Sequence, residues 1–184
     1  STKMKLNTRT IVAIGIGSAI FLVLNRFVSI PTPIPNTNIS TAYPFLAFMA
    51  ALFGPIADTL IKLIGHALTD MLFYGGVWWS WVAGSIAVGA IVGSCWNRLS
   101  IDRGETKLSD FVTFNVFQII GNAIAWGLIA PGLDMLIYAE PAQKVFSQAA
   151  AASLANMLSI LILGSLFLFA YAKTRTQSGS LREE

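Results

Sequence analysis

Long apolar runs separated by short polar clusters set the pattern of this chain. A helix that crosses the hydrocarbon core needs about 20 mainly apolar residues, within a range of about 17–25. Runs of that kind occupy Thr10–Val28, Trp78–Trp96, Phe111–Ile129 and Val145–Ala172. The stretch Asn38–Tyr74 is too long for one straight span, and Gly54-Pro55 interrupts it. Proline removes a backbone donor and clashes with the preceding turn. The stretch therefore reads as two helices, Asn38–Phe53 and Pro55–Tyr74, with Pro55 opening the second and Pro44 kinking the first or leaving it partly interfacial. The pattern predicts an all-α integral membrane protein, a six-transmembrane-helix bundle in one domain over residues 1–184, with residues 173–184 as a short polar cytoplasmic tail.

Composition removes the soluble alternatives. The chain is 55% hydrophobic and 11% charged, with a mean hydropathy of +0.68, whereas soluble domains are about 25% charged. A net charge of +3 is too small for a nucleic-acid surface, and Cys95, the single cysteine, excludes an intrachain disulfide. Charge placement tests the helix count. With six spans and an inside amino terminus, Lys3, Lys5, Arg9, Arg98, Arg103, Lys107, Lys173, Arg175 and Arg182 are cytoplasmic, leaving only Arg26 and Lys144 outside. Five spans put most of these residues on the wrong side of the positive-inside rule. Both termini are therefore expected in the cytoplasm. The run to Val28 is longer than a signal-peptide core, and Ser29-Ile30-Pro31 offers no small-x-small cleavage site. No inverted repeat, Walker A loop, zincin pair or nucleophile elbow is present in the sequence.

Lipid asks only for apolar side chains, so polar residues inside the spans carry the information. An ionisable group at the bilayer centre costs about 2.5–3.5 kcal/mol on insertion scales unless it is paired or wetted. Helix three carries Asp58, Lys62, His66 and Asp70 at intervals of four, with Tyr74 continuing the stripe. Asp58 and Lys62 stand in the favourable acid-then-base order and read as architecture near the inner surface. His66 and Asp70 lie in the outer half, where a brace between helices and a ligand site are both open. Helix five aligns Asn115, Gln118, Asn122 and Trp126 on one face, and helix six adds Gln148, Ser153 and Asn156. Amides commonly bond across membrane helices. The convergence of three helices on the outer half nonetheless points to a pocket open to the exterior, with Asn122, Trp126, Gln148 and Asn156 as candidates.

Aromatic residues crowd the same end. Trp78, Trp79 and Trp81 follow Gly75-Gly76, with Tyr43, Tyr74 and Tyr138 at comparable depth and Arg26 at the outer end of helix one. An aromatic belt at the headgroups is the default reading, but three tryptophans within four positions cannot all face lipid. Ile30-Pro31-Thr32-Pro33-Ile34-Pro35 reads as a stiff extended lid. Small residues recur at intervals of four, as Ala13 with Gly17 and Gly15 with Ala19 on helix one, and Ser85, Gly89 and Gly93 on helix four. Such faces let helices approach closely. Helix one has more of them than one partner requires, which suggests an external membrane partner.

Several blocks resemble a known family. These are Arg26–Asn38, Ala50–Ile56, Gly65-His66-Ala67-Leu68, Trp78-Trp79-Ser80-Trp81, Asn122–Pro131 and Ala170–Thr176. The chain resembles the substrate-binding S components of energy-coupling-factor (ECF) vitamin transporters, in the riboflavin and cobalamin branch. The resemblance implies a six-helix bundle with both ends inside and a vitamin site near the outer surface under the first extracellular loop. It implies docking of helix one on a transmembrane coupling subunit, with Ala13, Gly15, Gly17 and Ala19 as the face in either register. It also implies two cytoplasmic ATPases that hold ATP and magnesium, so that this chain carries no cofactor or metal and is not an enzyme. The loaded bundle is expected to topple in the membrane and release its vitamin inward when the partners hydrolyse ATP.

The vitamin is the finer question. A flavin asks for an aromatic stack and a few bonds to its ring edge, whereas a corrinoid asks for a wide cavity, small walls and many amides. Ala149 to Ala152, Gly75-Gly76 and the set Asn122, Gln148 and Asn156 favour the larger ligand. Cobalamin is therefore the expectation, with His66 as a conceivable axial ligand and riboflavin as the alternative. The full candidate site is His66, Asp70, Tyr74, Trp78, Trp79, Trp81, Asn122, Trp126, Gln148, Asn156, Tyr43 and Arg26. Two other classes stand behind it, a self-sufficient carrier or channel along the helix-three stripe and a membrane enzyme using His66 and Asp70. The missing repeats and the missing nucleophile or metal cluster count against them.

Overall fold

The computed structural model describes residues 7–31 and 38–175. Thr32 to Thr37, which include most of the expected lid, the basic residues Lys3, Lys5 and Arg182, and the tail beyond Arg175 lie outside the described residues. Helix α1 is Thr8–Phe27, opened by the Asn7 side chain, which accepts from the Thr10 N–H at 2.9 Å. Strand β1 (Ser29–Pro31) pairs antiparallel with β2 (Asn38–Ser40), with Ser29 opposite Ser40. The ladder takes up Asn38 to Ser40, so the next helix, α2 (Ala42–Phe73), starts four residues later than the hydropathy pattern predicts. Then follow α3 (Trp79–Gly93), α4 (Leu108–Ile124), α5 (Ala130–Tyr138), α6 (Ala142–Ser159) and α7 (Ser165–Thr174).

Among the described residues, five helical stretches are long and apolar enough to cross a membrane: Thr8–Phe27, Ala42–Phe73, Trp79–Arg98, Leu108–Tyr138 and Ala142–Thr174. The second contains a break. Gly54 has φ 85° and ψ 177°, a backbone region that essentially only glycine enters. A Cβ placed on Gly17 of α1 would lie 3.0 Å from Ile61 and 3.3 Å from Met49. Those residues are 12 positions apart, about 18 Å along a straight helix. The limb from Ala42 to Phe53 therefore folds back beside the limb from Pro55 to Phe73. The turn is held by the Arg9 guanidinium, 5.2 Å over the Phe53 ring, and by Gly93 of α3, where a Cβ would press into Pro55.

The fifth apolar run continues past Ile129, where the sequence pattern predicts its end. Pro131 has no N–H, but the widened turn Ala125–Ile129 carries the chain into α5, with the Ala130 N–H bonded to Ala125 O. At 1.5 Å per residue, Leu108–Tyr138 reaches about 46 Å, well beyond a hydrocarbon core of about 30 Å. A second widened turn, Ile160–Gly164, joins α6 to α7 in the same manner. The core lies where α2, α3 and α4 meet, around Ala50, Val88, Phe114 and Trp126. The opposite connection, between α3 and α4, is tied by Asp110, which accepts from the Ser100 N–H at 3.0 Å and from the Ser100 hydroxyl.

Candidate functional site

A cavity of about 770 Å³ opens at the end of the bundle where α5 turns into α6. Ser40 of β2 and Tyr43 in the first turn of α2 form one side. Trp78 and Trp81 at the start of α3, together with Asp134 of α5, form the next. The third wall is α6, which presents Lys144, Ser147, Gln148 and Asn156 with Ala151, Ala152 and Ala155 between them. Alanines at these positions keep the backbone close and leave room, while the amides and hydroxyl supply hydrogen bonds. Lys144 is neutralised by Glu140 at 2.9 Å, and both line the mouth. Aromatic walls facing a polar helix suit a ligand with a flat ring system and a polar extension.

Asp134 organises the aromatic side. Its Oδ1 accepts from Trp78 Nε1 at 2.7 Å and from the Ser80 hydroxyl, and its Oδ2 accepts from Trp81 Nε1 at 3.2 Å. Trp78 is stacked on Tyr138, with ring centroids 4.2 Å apart and planes 18° apart. Trp81 leans on the fully buried Trp126 at 5.0 Å, and Tyr43 meets the same ring edge-on at 5.9 Å. Behind Trp126, Asn122 accepts from Trp126 Nε1 at 3.0 Å and donates to Gln118, while Gln118 donates to Met157 O of α6.

The structure thus brings Tyr43, Trp78, Trp81, Gln148 and Asn156 to the cavity wall, and leaves the other candidates off it. Asn122 and Trp126 stand one layer back, because their polar atoms are spent on each other and on Gln118. His66 is buried against α3 with Nδ1 3.0 Å from Ser85 Oγ, and its Nε2 is 3.8 Å from Asp70. Asp70 accepts the Trp78 backbone N–H at 3.1 Å, a tie between α2 and the start of α3. Tyr74 and Trp79 are exposed, and the Trp79 N–H bonds the Tyr138 hydroxyl at 3.0 Å. Arg26 lies over Phe27 and Phe73, at 5.3 and 5.2 Å, on the flank of the bundle. Asp134 is the residue that the sequence reading passes over. An acid within an apolar run is the signal for it, and ending the helix at Ile129 hides that signal.

On α1 the two small-residue registers separate. Gly17 is buried on α2 and Ala13 packs beside it, whereas Gly15 and Ala19 face outward, with nothing within 4 Å of a Cβ on Gly15. The stripe Ser85, Gly89 and Gly93 is likewise internal, lying against His66, Asp58 and Pro55 of α2.

Comparison with known proteins gives one family. Residues 5–173 match the family described as ECF-type riboflavin transporter, S component. The chain is 53% identical over 182 residues to a UPF0397 protein of Enterococcus faecalis, covering 99% of this chain and 100% of that one. It is 54% identical to a UPF0397 protein of Clostridium perfringens, over 99% of this chain and 98% of the relative. Among solved structures it is similar to a chain described as FolT bound with folic acid, with a TM-score of 0.63 and 15% identity over 94% of this chain and 98% of that one. That likeness is one of fold. The corrinoid expectation finds no support in these comparisons, and the description of the matching family names riboflavin. The chain belongs to the ECF-type riboflavin transporter S components, multi-pass membrane subunits that bind substrate and are not enzymes.

Proposed function

We propose that this chain is a riboflavin-specific S component whose vitamin site is the cavity between α3, α5 and α6. The observation that carries the reading is the lining itself. Trp78, Trp81 and Tyr43 offer ring surface on one side, and Gln148, Asn156 and Ser147 offer hydrogen-bonding groups on the other. The isoalloxazine ring lies against the aromatic wall, and the ribityl hydroxyls meet α6. Base-sized aromatic contacts of this kind contribute roughly 0.5–1.5 kcal/mol beyond area burial.

The reversal at Gly54 divides α2 into two crossings, so the bundle crosses the membrane six times with both ends in the cytoplasm. Arg9, Arg98, Arg103, Lys107, Lys173 and Arg175 then share the inner side, in keeping with the positive-inside rule. The cavity faces outward, where the vitamin is collected. For docking, the outward register of α1, Gly15 with Ala19, meets a transmembrane coupling subunit, and Gly17 belongs to the fold. Two cytoplasmic ATPases hold the ATP and magnesium, and the loaded bundle topples to release its vitamin inward.

The test is uptake of labelled riboflavin by proteoliposomes. The chain reconstituted with an ECF module and internal ATP is expected to accumulate the vitamin, and the chain alone is expected to accumulate none. Equal uptake by the chain alone would instead identify a self-sufficient carrier.

A further inference from the structure

We infer that Asp134 is a positioning residue, whose carboxylate holds Trp78 and Trp81 as the aromatic wall of the cavity and so selects a planar ring system as ligand. The inference rests on the reading of this cavity as the vitamin site. Three donors converge on one carboxylate: two indole N–H groups on different oxygens and the Ser80 hydroxyl. A carboxyl group has two oxygens that can accept, so one side chain can hold both indoles at once. Each indole has a single donor, and the ring can swing about its side-chain torsions unless that donor is tied. With both tied, the rings are pre-set before any ligand arrives, which removes an ordering cost from binding.

Local structure supports the same role. Asp134 is 2% exposed although it lines the cavity, and no lysine or arginine pairs with it among the described residues. The cation at the mouth, Lys144, is taken by Glu140. The carboxyl oxygens of Asp134 are therefore engaged by the two tryptophans and Ser80 rather than by a neighbouring base. One turn further along α5, Tyr138 stacks on Trp78, so that a single helix face grips the ring twice. The Trp78 backbone is fixed independently by Asp70 of α2. Tyr138 and Trp126 support the ring planes, and Asp134 fixes which way each indole edge is turned.

The experiment compares the full detergent-purified chain with Asp134→Asn. Asparagine keeps the shape but replaces one acceptor by an amino group, which faces a donor and cannot bond it. The indole N–H resonances of Trp78 and Trp81 are expected to move, while those of Trp79 and Trp96 hold their positions. Riboflavin, followed by quenching of its fluorescence well below the melting temperature, is expected to bind at least tenfold more weakly. A residue that served stability alone would lower the melting temperature and leave both readouts in place, and that result overturns the inference. If Asp134→Asn does not fold, site-specific replacement of Trp78 or Trp81 by benzothienylalanine keeps the bicyclic ring and deletes the donor. Severalfold weaker binding in each supports the clamp, and unchanged affinity in both overturns it. If the wild-type chain takes no riboflavin, the riboflavin reading falls, and the indole resonances decide the clamp alone: movement supports it and constancy overturns it.

Discussion

His66 is held by its own scaffold, with Nδ1 3.0 Å from Ser85 Oγ and the ring 5.9 Å from that of Phe21. Its side chain lies off the cavity wall, and we expect it to serve the packing of α2 on α1 and α3. His66→Ala is expected to destabilise the chain while leaving riboflavin affinity within about threefold, a difference under 1 kcal/mol. Thermal unfolding and a binding titration on the same sample check both halves, and a tenfold loss of affinity would return His66 to the site. Single residues were the least legible part of the sequence. A four-residue stripe such as Asp58 to Asp70 fixes which face a side chain shares, but not whether that face meets a ligand or another helix. Here α3 answers the stripe: Lys62 donates to Ser85 O at 2.6 Å and pairs with Asp58 at 3.2 Å, both fully buried. Asp134 was hidden for a different reason, since a proline-glycine pair normally marks the end of a helix.

On α1, one small-residue register packs on α2 and the other faces outward. A Cβ at Gly17 would already press on Ile61 and Met49, whereas one at Gly15 has no neighbouring atom within 4 Å. Gly15→Leu is therefore expected to preserve folding and vitamin binding but to abolish co-purification with the coupling subunit. Gly17→Leu is expected to lower stability by about 1–3 kcal/mol, as overpacking does. Intact assembly of the Gly15 variant would place the docking face elsewhere on the bundle. The sequence offered two registers because both satisfy the same spacing, and only the neighbouring helix distinguishes them. The break at Gly54-Pro55 was legible, because that dipeptide both frees and interrupts the backbone. The continuation through Ala125–Ile129 was not, because a widened turn absorbs the missing Pro131 donor without leaving a mark in composition.

For the whole molecule, hydropathy and charge carry most of the fold, since a bilayer admits few alternatives to apolar helices. The vitamin is less legible, because ligand size depends on how far apart the walls stand, which no spacing rule reports. Small residues on α6 suggested a wide cavity, yet the bulky Trp78, Trp81 and Tyr43 fill the opposite side and leave about 770 Å³. Under the proposed function this space holds a flavin. Titration calorimetry of the purified chain with riboflavin and cyanocobalamin in parallel distinguishes the two ligands. Tight, stoichiometric binding of riboflavin with no heat from cyanocobalamin is the predicted result, and tight binding of cyanocobalamin alone would contradict it.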